Sequence, residues 1–242
     1  MVLLTLLLIG CGQSKKQTEQ SKDIAKKEQQ MNQDEWQILF DGTSFDGWHF
    51  YNAGTIAEPW KLENGAMVFY PPENYPEGIS YNIVTDTDYT DFVLSLEWKV
   101  SEGGNSGIFW GVFEDEKFGQ PYQTGPEIQV LDDERHPDAK NGTTHQAGAL
   151  YDMVAPSKKA VKPAGEWNQV ELTVNHQTNS GHVLLNGIKI VEFPVHGEDW
   201  EAMVAKSKFA DWEGFGAHRT GKIGLQDHGD IVAYRNIKIK KL

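Results

Sequence analysis

The segment Phe92-Val-Leu-Ser-Leu-Glu-Trp-Lys-Val100 alternates apolar and polar side chains from Leu94 onward. Successive side chains of a β-strand point to opposite faces of the sheet, so this alternation is typical of a strand with one buried face. The apolar members would share that face, and Ser95, Glu97 and Lys99 would share the other. The segment therefore predicts a half-buried strand of an antiparallel sheet.

The same signal recurs further along the chain. Val170, Leu172 and Val174 alternate with polar residues. The dipeptide Asn186-Gly187 separates two short apolar runs and is typical of a type I′ β-hairpin. Further short strands are expected at residues 108–112, 128–131, 223–225 and 231–239. These patterns predict an all-β fold, a two-sheet antiparallel sandwich.

One short helix is expected at roughly residues 198–208. Trp200, Met203 and Val204 lie there at the spacing of one helical face. Gly- and Pro-rich segments separate the other elements, and the sequence contains no internal repeat.

The charge of the chain limits the classes of partner. With 242 residues and a net charge of −13, the protein is long enough for one large sandwich and too acidic for nucleic acid to be its main partner. Acidic charge does not select a ligand. Neutral sugars remain compatible, because aromatic platforms and neutral hydrogen-bonding groups can bind them.

The first residues resemble a bacterial lipoprotein signal. Cys11 is the single cysteine, and it follows an apolar run that ends in Leu8-Ile9-Gly10. That run is too short to span a bilayer, so residues 1–11 are predicted to be a processed signal with a lipidated Cys11. The alternative is a buried free thiol. Residues 12–33 are predicted to be a disordered polar tether and residues 34–242 the folded domain. The protein would then be exported and held on a bacterial membrane by lipid only, facing the periplasm or the cell surface.

A first candidate site segment is Gly125-Pro-Glu-Ile-Gln-Val-Leu-Asp-Asp133. If Ile128 and Val130 face the core, Glu127 and Gln129 share the opposite face. A retaining glycosidase needs two carboxylates about 5–5.5 Å apart. The neighbour of Glu127 on this face is an amide, and Asp132 could supply the second carboxylate only through a bulge. The alternative interpretation of Glu127 is a solvent-exposed strand carboxylate.

A second candidate segment is Gly221-Lys-Ile-Gly-Leu-Gln-Asp-His-Gly229. Gln226 and His228 are expected on one face, opposite the apolar pair Ile223 and Leu225. Glutamine and histidine both bind sugar hydroxyls, and histidine can act as acid or base near neutral pH. A loop histidine with a structural hydrogen bond is the alternative.

Further candidates are less specific. His145 precedes a small-residue segment that is expected to be a strand and that ends near Tyr151, so ligand could approach it closely. Asn105 is expected in a turn, with a second role as a hydroxyl partner. Trp110 is expected in the core rather than as a sugar platform. Metal ligation stays undetermined: a divalent metal is compatible with Asp132, Asp133, His136 and His145, but their spacing matches no strong zinc or calcium pattern.

These motifs resemble, in order, those of the 3-keto-disaccharide hydrolase domain family, formerly a domain of unknown function. The similar segments are Phe40-Asp-Gly42 followed by Gly47-Trp48, Asn105-Ser-Gly-Ile108, Gly125 to Asp132, Gly148-Ala-Leu-Tyr151, Trp167-Asn-Gln-Val170, Asn186-Gly187, Gly224-Leu-Gln-Asp-His228 and Arg235-Asn-Ile-Lys238. The resemblance implies a concanavalin A-like jelly roll and action on glycosides oxidised at C3. Many members are exported proteins of carbohydrate-degrading bacteria.

That chemistry would need one base rather than two carboxylates. A ketone at C3 acidifies the C2 hydrogen, and its removal lets the C1 substituent leave. The expected catalytic residues are Glu127, His145 and His228, with Glu127 favoured as the base over His145. The expected substrate-binding residues are Asn105, Trp110, Gln129, Asp132, Tyr151, Gln226 and Asp227. A non-catalytic carbohydrate-binding module of the same fold and a surface interaction protein are the competing interpretations.

Overall fold

A computed structural model of the chain describes residues 35–75 and 79–242. The predicted signal segment with Cys11 and the predicted tether at residues 12–33 lie outside the described residues. Within the described ranges, no helix has the length and apolar character that a membrane crossing would require.

The described part of the chain is built mostly of strands. They are β1 (Gln37–Phe40), β2 (Trp48–Phe50), β3 (Trp60–Glu63), β4 (Ala66–Phe69), β5 (Ile83–Thr85), β6 (Phe92–Val100), β7 (Asn105–Val112), β8 (Glu127–Leu131), β9 (Asn168–Asn175), β10 (Ser180–Leu185), β11 (Ile188–Phe193), β12 (Lys222–Leu225) and β13 (Val232–Lys241). One α-helix, α1 (Gly197–Val204), follows β11. Short 3-10 helices occupy Pro121–Gln123, Pro137–Asn141 and Thr143–His145.

The strands form two antiparallel sheets. The larger sheet has the order β11-β10-β9-β6-β13-β4-β3, with β1 also pairing to β13. The smaller sheet has the order β2-β5-β12-β7-β8. The predicted fold class, an all-β antiparallel sandwich with one short helix, is confirmed.

The core lies between the sheets, as the alternation in β6 predicts. The apolar side chains from Phe92 to Val100 on one face of β6 are at most 2 % exposed. Ile128 and Val130 of β8 belong to the same core, and Trp110 is buried with its ring stacked on that of Phe193. Trp110 is therefore a core residue, as expected.

The Asn186-Gly187 hairpin is confirmed. The φ angles of these residues are 51° and 78°, both positive as a type I′ turn requires. Leu185 pairs with Ile188 across the turn.

Three local expectations are corrected. Asn105 is the first residue of β7, paired with Leu131, and not a turn residue. His145 lies in a 3-10 helix, and the small residues after it form no named strand. The helix ends at Val204 rather than near Lys208, because the N–H groups of Lys206 and Ser207 donate only three residues back, to Met203 and Val204. The Lys208 N–H donates to Asp152 Oδ2 at 2.7 Å.

Candidate active site

A pocket of about 350 Å³ opens on the face of the smaller sheet that points away from the core. Strand β8 contributes Glu127 and Gln129, and β7 contributes Asn105. The lining residues are Asn105, Tyr122, Glu127, Gln129, Tyr151, Lys208, Phe209, Trp212, Gln226 and His228. Aromatic walls combined with convergent polar groups are typical of small-molecule sites.

Glu127 is the one carboxylate of that lining. Its side chain is 7 % exposed, and among the described residues its carboxylate forms no hydrogen bond or ion pair. Burial raises the pKa of Glu127 to about 8; the charge of Lys208 opposes this shift and that of Asp138 adds to it. A carboxylate that gains a proton near neutrality is suited to act as a general base.

The position of Glu127 depends on Gly107 of the neighbouring strand. The Glu127 carboxylate lies directly over this glycine, so a Cβ there would come within 2.0 Å of Glu127 Oε1. Gly107 therefore leaves the space that the carboxylate occupies.

Two buried amide side chains have unused hydrogen-bonding capacity. Asn105 Oδ1 and Gln226 Oε1 are buried and have no partner among the described residues. Gln129 is partly engaged: its Oε1 accepts the Val130 backbone N–H at 3.1 Å, and its Nε2 lies 3.4 Å from Asp138 Oδ2. Buried polar groups are nearly always paired, so these amides are suited to hydroxyl groups of a ligand.

Lys208 places a positive charge in the pocket. Its Nζ lies 4.1 Å from the centre of the Tyr151 ring, within cation–π range. No ion pair of Lys208 occurs in the described ranges, although its charge acts on Glu127. The ammonium is thus available to an oxygen of a bound ligand.

His145 lies behind the pocket wall and does not line it. Its Nδ1 is 2.9 Å from Asp138 Oδ1 and its Nε2 is 3.0 Å from Asp152 Oδ1. Asp138 also accepts the Tyr151 hydroxyl at 3.0 Å, while Asp152 accepts the Lys208 backbone N–H. This arrangement, the Asp138–His145–Asp152 bracket, holds two pocket residues and makes His145 a positioning residue.

Asp138 is kept ionised by its partners. Burial would raise its pKa, but hydrogen bonds from Asn141, His145 and Tyr151 outweigh burial, and the pKa is lowered. A negative Asp138 attracts the proton of the Tyr151 hydroxyl, and this fixes the orientation of that ring.

Asp227 and Asp132 are also engaged by other groups. Buried Asp227, whose pKa burial raises to about 6, accepts the Tyr81 backbone N–H at 2.7 Å and the Tyr75 hydroxyl. Asp132 accepts the Gly103 N–H at 2.8 Å and contacts Arg135. Neither carboxylate lines the pocket.

The structure thus brings together most of the expected set. Glu127, His228, Asn105, Gln129, Tyr151 and Gln226 line one pocket. His145, Trp110, Asp132 and Asp227 do not. Four pocket residues were not predicted from the sequence: Tyr122, Lys208, Phe209 and Trp212. The aromatic residues of segment 208–215, after the helix, were the available signal for the last three.

One group of side chains in the described ranges has the arrangement of metal ligands. Ligand atoms of His136, His228 and Asp230 all lie within 4.8 Å of one another. Of the four residues considered from sequence, only His136 belongs to this group. Asp133 accepts the Ala147 N–H at 2.7 Å, and His145 is held by the bracket.

Comparisons with known proteins point to one family. A family described as the 3-keto-alpha-glucoside-1,2-lyase-like domain matches residues 35–240. A Bacteroides thetaiotaomicron protein named 3-keto-disaccharide hydrolase is 35 % identical over 231 residues, covering 84 % of this chain and 77 % of that protein.

Solved structures are similar to this chain as well. A Parabacteroides distasonis protein described as a candidate glycosyl hydrolase is 34 % identical with a TM-score of 0.77, covering 86 % of this chain and 94 % of that one. A Bacillus subtilis protein with a galectin-like fold, 11 % identical with a TM-score of 0.52, shares the fold alone; 86 % of this chain and 95 % of that one are covered. These likenesses support a hydrolase that acts on carbohydrate. With residues 35–240 matched, the chain belongs to the 3-keto-alpha-glucoside-1,2-lyase-like domain family.

Proposed function

We propose that the protein cleaves glycosides and disaccharides whose sugar ring carries a ketone at C3, with Glu127 as the base. The observation that carries this proposal is the lone buried carboxyl in the pocket, with a pKa raised to about 8. The ordinary two-carboxylate mechanism lacks its second group there. Elimination next to a ketone needs only one base.

In the proposed reaction, the C2 proton is removed before the C1 substituent leaves. Glu127 takes the C2 proton, and the C2–H electron pair forms an enolate whose negative charge rests on the C3 oxygen. The enolate then expels the C1 oxygen, forming C1=C2, and the leaving oxygen takes a proton from solvent at the open rim beside His228. Glu127 then releases the abstracted proton to solvent, and water adds its oxygen to C1 and a proton to C2, so the base is restored and the net result is hydrolysis. Lys208 and the amides of Asn105, Gln129 and Gln226 are suited to hold the sugar oxygens.

The proposal is tested with a 3-keto-disaccharide in D₂O. We expect release of free glucose and a 3-keto sugar that carries deuterium at C2. Cleavage without deuterium at C2, or equal cleavage of the unoxidised disaccharide, would rule out the elimination. Tight sugar binding without any turnover would instead support a binding module, which the aromatic wall of Tyr122, Phe209 and Trp212 could serve.

Gly107→Ala is expected to lower kcat/KM by about tenfold or more while leaving the protein folded. The added Cβ displaces the Glu127 carboxylate, the flexible end of a side chain, and a misplacement of about 1 Å can cost about 100-fold. Gly54→Ala is the matched control, because a Cβ at Gly54 meets nothing within 4 Å. Unchanged kinetics for Gly107→Ala would show that the position of Glu127 does not matter to the reaction.

Lys208→Met is expected to lower kcat by about 10-fold to 100-fold through loss of a positive charge near the enolate oxygen. It should also shift the acid limb of the pH–rate profile upward, because the Lys208 charge lowers the pKa of Glu127. Lys206→Met, in the same exposed segment, is the control. If the acid limb of Lys208→Met were not shifted, the charge of Lys208 would have no effect on the pKa of Glu127.

We also propose export and lipid anchoring at Cys11, on the basis of the apolar run and Leu8-Ile9-Gly10 before it. Lipoproteins carry several acyl chains, which together anchor stably where one binds only marginally. We expect a fatty-acid probe to label the full chain in cells and Cys11→Ser to abolish both labelling and membrane fractionation. Equal labelling of the two proteins would disprove the anchor.

A further inference from the structure

The rim of the pocket carries three side chains that the base mechanism does not use. Ligand atoms of His136, His228 and Asp230 lie within 4.8 Å of one another, and His228 also lines the pocket. We propose that this rim cluster binds one divalent transition-metal ion, whose open positions face a sugar in the pocket. The sugar contact rests on the proposed function, whereas the binding of the ion does not.

The ligand set selects the kind of ion. Two imidazole nitrogens and one carboxylate oxygen suit Zn²⁺, Co²⁺ or Mn²⁺, while Mg²⁺ and Ca²⁺ prefer oxygen ligands throughout. His136 Nδ1 accepts the Asp138 backbone N–H at 3.1 Å, so this nitrogen carries a lone pair. An ion bound at Nδ1 would replace that N–H as the partner of the lone pair.

Asp230 is held in place by the chain itself. Its Oδ2 accepts the Asn105 backbone N–H at 3.1 Å, which fixes the carboxylate beside the pocket. Such hydrogen bonds orient the ligands of metal sites. Two ligands bonded to one ion at about 2.1 Å lie at most about 4.2 Å apart. Ligand atoms within 4.8 Å of one another are therefore at or near the separation that one ion requires, and the exposed side chain of His228 can adjust to it.

A second observation points to a ligand at the same place. The Asn105 side chain is 3 % exposed and that of Gln226 is 7 % exposed, yet neither amide oxygen has a partner in the described part of the chain. Both side chains line the pocket together with His228. Unpaired buried acceptors of this kind are suited to hydroxyl groups that an ion at the rim would hold in position.

The test measures metal binding without any sugar. The full chain is used with Cys11→Ser and without an affinity tag, so that neither a thiol nor added histidines bind the probe. Zn²⁺ is titrated calorimetrically, and Co²⁺ is followed by visible absorption. We expect one ion per chain, with affinity lowered by about tenfold or more in His136→Ala and in Asp230→Asn. Asp230→Asn retains an oxygen that can accept the Asn105 N–H, which protects folding.

His182→Ala is the control, because His182 lies on β10 of the other sheet. Its binding should equal that of the parent. No binding by the parent, or equal affinity in His136→Ala and Asp230→Asn, would overturn the site, and loss of binding in His182→Ala would identify a surface histidine as the ligand. If the ion binds but 3-keto-disaccharides are not cleaved, the proposed function fails and the metal site stands.

Discussion

Glu127→Gln is expected to lower the turnover of a 3-keto-disaccharide by about 100-fold or more. The amide has nearly the shape of the carboxylate but cannot accept the C2 proton. Because Glu127 is the one carboxylate that lines the pocket, no other carboxylate there can replace it. Initial rates of glucose release at pH 8 to 9, where the parent carboxylate is ionised, would measure the effect.

Two variants make this result specific. Glu171→Gln, on β9 of the larger sheet, changes a carboxylate away from the pocket and should leave the rate unchanged. His145→Ala should lower the rate by displacing Tyr151 and Lys208. The acid limb of its pH–rate profile should still reflect the pKa of Glu127 and should not move. If Glu127→Gln retained near-normal turnover while His145→Ala lost it, the base would be His145. If neither change lowered the turnover, neither residue would be the base.

Glu127→Gln is also expected to stabilise the protein at high pH. Burial raises the pKa of Glu127 from 4.5 to about 8, so the folded state holds a proton that the unfolded state releases. The contribution of Glu127 to stability is full below pH 4.5 and is lost as the pH rises toward 8. The free energy of unfolding of the parent, relative to that of the variant, should fall by about 4 kcal/mol between pH 5 and pH 9.

Chemical denaturation of both proteins at pH 5, 7 and 9 measures this difference. Asp227, whose pKa is also raised, is present in both proteins and cancels from the comparison. Each unit by which burial raises the pKa of Glu127 corresponds to about 1.4 kcal/mol of this difference. If the unfolding free energies of parent and variant changed equally with pH, Glu127 would be ionised in the folded protein from low pH. Its role as a base near neutrality would then have no physical basis.

The two predictions are linked through one side chain. The burial that makes Glu127 basic near neutral pH also makes its ionised form costly to the fold. A variant that loses activity and gains stability at pH 9 is the expected signature of a functional residue kept at the expense of stability.

The sequence alone determined the sandwich and part of its pocket. Strand β6 was predicted at its observed bounds, because alternation with a period of two has a direct steric cause in the strand. The Asn186-Gly187 turn was predicted because these two residues tolerate positive φ. The shared face of Glu127 and Gln129 followed from the same alternation.

Only the tertiary structure decided which groups meet at the pocket. The charge of Lys208 acts on Glu127 from the segment after the helix, where Asp152 holds the Lys208 backbone, and Gly107 makes room for the carboxylate from a different strand. Asn105 contacts Asp230 across 125 positions of sequence. Local steric preferences repeat along the chain and can be seen in its pattern, whereas these contacts depend on how distant segments pack, and no local pattern encodes that packing.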